Sequence, residues 1–74
     1  MKEILETIIT NLVDKKDSVS ITEKKENNKT ILEVKVAEED MGKVIGKQGR
    51  IAKAIRTIIK SLAGKEKVIV EFID

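Results

Sequence analysis

The stretch Val44-Ile45-Gly46-Lys47-Gln48-Gly49-Arg50-Ile51 holds the residue types and spacing most suited to chemistry. Two glycines bracket two polar residues, with an aliphatic pair ahead and a basic residue and an isoleucine behind. Glycine has no Cβ, so it takes positive φ and lets another molecule's backbone come close. A helical pattern starts at Gly49 or Arg50, so the loop offers unpaired N–H groups at the positive end of a helix dipole. Phosphate is the anion that such a site suits.

Other phosphate-binding loops do not fit. Gly42-x-x-x-Gly46-Lys47 has three residues between its glycines and Gln48 after the lysine, whereas a Walker A loop needs four and a Ser or Thr. No G-x-G-x-x-G fingerprint is present, and the loop joins helix to helix instead of strand to helix. Histidine and cysteine are both absent, which removes the commonest acid–base catalyst and the common soft metal ligands. Glu38, Glu39 and Asp40 are adjacent, but consecutive helical residues point apart, so they fit compensation of a helix dipole better than a magnesium site. No nucleophile with a base stands out. The expectation is a protein that is not an enzyme, with no catalytic residues, no metal and no cofactor.

Charge points to the kind of partner. Seven basic residues (Lys43, Lys47, Arg50, Lys53, Arg56, Lys60 and Lys65) fall in residues 41–65 with no acidic one among them. All thirteen acidic side chains lie elsewhere, so the formal net charge of +2 hides a strong polarity. Solvated helix faces usually mix signs; a one-sign stretch presents a basic face to an anionic partner. No apolar run approaches the length of a membrane span, and Glu3 and Glu6 among the first apolar residues do not suit a signal peptide. A cytoplasmic location without membrane insertion is expected.

The elements that must position the loop read in order. Met1, Ile4, Leu5, Ile8, Ile9, Leu12 and Val13 recur at helical spacing, which predicts an amphipathic helix with Lys15 and Lys16 in its last turn. Residues 18–25 and 30–36 alternate as strands, and Asn27-Asn28 between them suits a type I′ turn. That turn sets a register in which Val19 faces Val36, Ile21 faces Val34, Ser20 faces Lys35 and Thr22 faces Glu33. Its weak spot is Ile31 opposite Lys24 on the outer face. Residues 38–45 predict a short helix in which Gly42 serves either close packing or close approach of a ligand.

Residues 50–63 predict a long helix with Gly64 past its end. Ile51, Ala52, Ala54, Ile55, Ile58, Ile59, Leu62 and Ala63 fill its inner half, and Arg50, Lys53, Arg56, Thr57, Lys60 and Ser61 the outer. Residues 67–74 close the chain as a strand, apolar on both sides and hence expected to be covered on both. Two helices between the second and third strands allow a right-handed crossover and parallel pairing. The fold class is α+β: an α-β-β-α-α-β chain, one domain over residues 1–74, with a mixed three-stranded sheet covered on one face by three helices.

A G-x-x-G between a short and a long helix, with Val44-Ile45 ahead and Ile51 behind, resembles the clamp of KH domains, and the element order resembles the type II arrangement of that fold. Residues 38–56 are similar to the small single-KH proteins of the KhpA family. The resemblance implies a non-catalytic RNA-binding protein, a chaperone or regulator of single-stranded RNA in the bacterial cytoplasm. It also implies a homodimer or a heterodimer with a larger KhpB (Jag-like) KH protein, and a role in cell elongation and envelope growth. By the same resemblance, Gly46 and Gly49 shape the loop while Lys47 and Gln48 face the nucleic-acid backbone. Arg50, Lys53 and Lys43 add charge near a clamped phosphate, and Val44, Ile45 and Ile51 support or line the base groove, Ile45 and Ile51 being equally readable as core. Phe72 is the only aromatic and falls on a core-facing position, so bases cannot stack on exposed rings as they do on RRM and OB surfaces. The alternative is a protein–protein dimerisation module with weak RNA binding, using the outer strand faces and the far end of the long helix.

Overall fold

A computed structural model of the chain describes residues 1–73. The order is α1 (Lys2–Thr10), β1 (Ser20–Glu26), β2 (Lys29–Lys35), α2 (Met41–Ile45), α3 (Arg50–Ala63) and β3 (Lys67–Ile73). Single 3-10 turns at Lys16–Ser18, Glu38–Asp40 and Lys47–Gly49 lead into β1, α2 and α3. The chain is thus α+β, with helices and a mixed three-stranded sheet.

The hairpin turn dictates half of the sheet. Asn27 and Asn28 both take positive φ (45° and 68°), the conformation a type I′ turn requires. β1 and β2 then pair antiparallel in the expected register, with Ile21 opposite Val34, Thr22 opposite Glu33 and Lys24 opposite Ile31. The ladder begins at Ser20 and Lys35, so the Val19–Val36 pair lies just beyond it. β3 returns through α2 and α3 to lie parallel to β2, which becomes the central strand. Leu32, Val34 and Val70 face Leu5 and Ile9 of α1, Val44 of α2 and Ile55 and Ile59 of α3, and together they form the buried core.

Three expectations need correction. α1 stops at Thr10, not near Lys16. The Asn11 side chain donates to the Thr7 carbonyl at 2.7 Å, which the Asn11 backbone N–H also reaches at 3.2 Å, and the Thr10 hydroxyl donates to the Glu6 carbonyl at 2.9 Å, so polar side chains gather on the carbonyls at the end of the helix. Leu12 and Val13 keep facing the core after the backbone has left the helix, which is why the apolar period runs on. In α3 the buried arc is narrower than the sequence suggests: Ile55 and Ile59 are inside, whereas Ala54, Ile58 (46% exposed) and Leu62 (53% exposed) are not. On β3 the outer face has no covering element among the described residues; Ile69 is half-shielded beside Ile31, and Ile73 is 37% exposed.

Asp40 fastens the connection between α1 and β1 to the start of α2. It is 1% exposed and accepts a hydrogen bond from the Lys15 backbone N–H at 2.9 Å. Lys43 Nζ lies 3.4 Å from its other oxygen. Among Glu38, Glu39 and Asp40, then, Asp40 does not answer a dipole; it turns inward, while the Glu39 carboxylate pairs with the Lys15 ammonium. The Lys15 N–H is the main cause holding the Asp40 carboxyl below its ordinary range, with Lys43 adding to it against the opposing effect of burial.

Two measurements check this packing. Ile59→Ala should lose about 2–5 kcal/mol in urea unfolding of the dilute protein, because its side chain is fully buried. The adjacent Ile58→Ala should stay within about 0.5 kcal/mol. A group with a depressed native pKa stabilises the fold above its unfolded value, and that contribution is lost as pH falls through the native one. The melting temperature should therefore drop on acidification below the ordinary aspartate range. Asp40→Asn should melt lower at neutral pH and show a flatter acid limb, and an unchanged acid limb would show that Asp40 carries no such contribution.

Candidate nucleic-acid interface

The loop between α2 and α3 is built from left-handed backbone. α2 ends when the Gly46 N–H bonds the Gly42 carbonyl at 2.8 Å, and Gly46 then leaves at φ 77°, ψ 174°. Gln48 (φ 59°) and Gly49 (φ 73°) both sit in the left-handed region, and the Gly49 N–H returns to the Gly46 carbonyl at 3.1 Å. A Cβ on Gly46 would stand 2.6 Å from Cγ1 of Ile51, so the turn at 46 and the start of α3 touch with no room for a side chain. Gly49 has open space around it, and its need for glycine is conformational alone. Gln48 is the exception, a residue with a side chain held at positive φ, a conformation that costs on the order of 1 kcal/mol. Its amide oxygen accepts from the Arg50 guanidinium at 3.3 Å.

The predicted site residues separate into two groups. Lys47, Gln48, Arg50 and Lys53 are exposed at the loop and on the first turn of α3. Among the described residues no carboxylate lies within ion-pairing distance of Lys47, Arg50 or Lys53. Lys43 differs: its ammonium pairs with Asp14 and with Asp40, and the Asp14 hydrogen bond is the main cause raising its pKa. The acidic front of the chain reaches back to neutralise this one lysine. Val44 is fully buried beneath the loop, whereas Ile45 and Ile51 are half-buried and packed on the edge of the core. Gly42 is exposed with nothing within 4 Å of its Cβ position, so close packing does not explain it.

Beyond the loop a groove of about 440 Å³ runs between the second half of α3 and β3. Arg56 and Lys60 of α3, Gly64, Lys65 and Glu66 of the connection, and Lys67, Val68, Ile69 and Val70 of β3 line it. Arg56 leaves the outward row predicted for it. Its Nε donates to the Val70 carbonyl at 3.1 Å, and its guanidinium lies 5.4 Å from the centre of the Phe72 ring. The sequence held a signal for this pair, a lone aromatic and an arginine, but not the neighbour relation that joins them. The exposed stripe Ala54–Ile58–Leu62 was likewise missed, because apolar residues on one half of a wheel read as core. At about 100° per residue, that stripe lies roughly 150° around α3 from Lys53 and Lys60. Basic ridge and apolar stripe are separate flanks of one helix.

Comparison with known proteins agrees with this geometry. RNA-binding protein KhpA of Clostridium acetobutylicum is 61% identical over 99% of this chain and 100% of its own length. The protein of the same name from Clostridium perfringens is 59% identical over the same shares, and that from Aquifex aeolicus 41% identical over 100% of this chain and 96% of its own. Among solved structures, the crystal structure of APE1850 superposes with a TM-score of 0.65 at 35% identity, covering 90% of this chain; the chain spans about half (49%) of that protein. The family described as KhpA/KhpB, KH domain, matches residues 2–72, and the chain belongs to it.

Proposed function

We propose that this chain is a single-domain RNA-binding module that clamps about four nucleotides of single-stranded RNA at residues 46–49. One observation carries the reading: a left-handed glycine loop is bordered by Lys47, Arg50 and Lys53, none of which has an acidic partner among the described residues. The backbone of the strand would lie against Gly46 and Gly49, where small residues permit approach. The N–H groups of Lys47 and Gln48 open the turn without carbonyl partners among the described residues, and they are suited to phosphate oxygen. Bases would rest on Val68, Ile69 and Val70, with Ile45 and Ile51 flanking the loop. Lys43 contributes once a phosphate displaces Asp14. Relatives aligned over their full length carry the name RNA-binding protein KhpA, which supports the same reading. No described helix is long and apolar enough to cross a membrane. The proposal extends, on the family resemblance alone, to work in the bacterial cytoplasm and a part in cell elongation and envelope growth.

Lys47→Asp with Gln48→Asp should lower affinity for a short single-stranded RNA at least about tenfold and flatten the slope of log K against log salt. Circular dichroism should show the fold intact, because both side chains are exposed. Undiminished retention of RNA by the folded double variant would overturn the assignment.

A second reading rests on the exposed Ala54–Ile58–Leu62 stripe. It supports self-association, or pairing with a larger KhpB-type KH protein, through a flank that leaves the basic ridge free. Ile58→Glu should shift sedimentation from dimer to monomer while RNA affinity per chain changes less than about threefold. A dimer that survives this change would exclude the stripe as the contact.

A further inference from the structure

The outward face of the sheet carries its side chains in bands. β2 and β3 run parallel in register, so Lys29 sits beside Lys67, Ile31 beside Ile69 and Glu33 beside Glu71. Alternation along each strand turns all six away from the core. Like charges therefore stand on neighbouring strands about 4.8 Å apart, on either side of an isoleucine row. β1 relieves this only in part. Lys24 pairs with Glu33 at 3.2 Å, and Glu26 is the register partner of Lys29. Glu71 and Lys67 have no ion pair among the described residues. One side of the isoleucine row thus keeps a net negative charge and the other a net positive one.

A second copy laid face down, turned about an axis that crosses the strands at this row, sets each band on its complement. Ile31 and Ile69 meet their own counterparts. Glu33 and Glu71 come over Lys29 and Lys67 of the other copy, and the reverse holds by symmetry. The pattern is self-complementary, as a two-fold interface requires. On β1, Glu26 faces the neutral Thr22, and the two copies of Lys24 meet at the sheet margin, where each keeps its Glu33 as counter-ion. An anionic strand on this face would meet the glutamates as well as the lysines; a second copy answers both. We infer that the outer sheet face is a docking surface for a second copy of this chain, packed with its strands reversed. The inference is independent of the RNA-binding reading and uses neither the basic ridge nor the Ala54–Ile58–Leu62 stripe. A patch of three seven-residue strands covers on the order of 300 Å². That is less than half of what each partner gives to a standard stable interface, so the pairing is weak and sensitive to salt.

Sedimentation of the full chain at about 1 mM tests the pairing, in an Ile58→Glu background so that the stripe does not contribute. The background protein should form dimers at low salt and lose them at about 0.5 M salt. Lys29→Glu with Lys67→Glu makes both charged bands acidic, and Glu33→Lys with Glu71→Lys makes both basic. Each double variant should self-associate at least about tenfold more weakly, because four pairs between copies, each on the scale of an exposed ion pair, turn repulsive. Mixed one to one, the two variants match at every band and should dimerise again, at least as well as the background protein. Circular dichroism should show each of them folded. A background protein that stays monomeric at low salt overturns the inference. So do charge variants that associate undiminished by themselves, and so does a mixture that stays monomeric. The clamp at residues 46–49 stands or falls separately, by its own variants.

Discussion

The left-handed turn between α2 and α3 is the constraint on which the rest of the molecule depends. Parallel pairing of β2 and β3 requires the chain to travel back along the sheet, and two helices make that return. They can both pack on the same sheet face only if the chain reverses within a few residues. Gly46, Gln48 and Gly49 achieve this with three positive φ angles in four residues, while Ile51 fills the space where a side chain on Gly46 would be. The turn therefore serves fold and site together. While it bends this sharply, the N–H groups of Lys47 and Gln48 have no carbonyl partner among the described residues, and those groups are what an anion would use. The strain at Gln48 is offset in part by the contact of its side chain with Arg50.

Charge is partitioned around this turn by the acidic segment that precedes it. Asp14, Glu39 and Asp40 draw Lys15 and Lys43 into a set of ion pairs next to α2. Exposed pairs of this kind contribute little stability each. Their positional consequence is larger, because Asp40 is buried and takes the Lys15 backbone N–H, fixing the α1–β1 connection against the helix that leads into the loop. Lys47, Arg50 and Lys53 lie beyond the reach of these carboxylates among the described residues. A boundary between neutralised and open cations thus falls between residues 43 and 47.

What the sequence made legible was local. Asn27-Asn28 with alternating neighbours determined the hairpin register, and the glycines at 49 and 64 bracketed α3 at both ends. Those are short-range relations in which residue type and backbone conformation are directly coupled. What escaped depended on distance through the fold. At the end of α1 the Asn11 and Thr10 side chains bond helix carbonyls, which periodicity does not register. Asp40 read as one of three surface carboxylates until the Lys15 N–H, 25 positions away, was brought beside it. Arg56 read as part of a basic row because its partners, Val70 and Phe72, become neighbours only when β3 takes the open edge of the sheet.

The phase of α3 shows why a small domain leaves apolar surface outside. A chain of this size buries only about 60% of its unfolded surface. A sheet of three strands with α1 beside it covers an arc of α3 that holds Ala52, Ile55 and Ile59. The wheel of α3 carries a wider apolar arc than that, so Ala54, Ile58 and Leu62 fall beyond the edge of the core. Lys53 and Lys60 lie on the far flank of the same helix and are exposed. Covering the stripe with a second protein would bury apolar area without displacing a cation from the ridge. Laying an anion along the ridge would leave the stripe untouched. One helix can therefore serve both kinds of contact at once, because the core separates them.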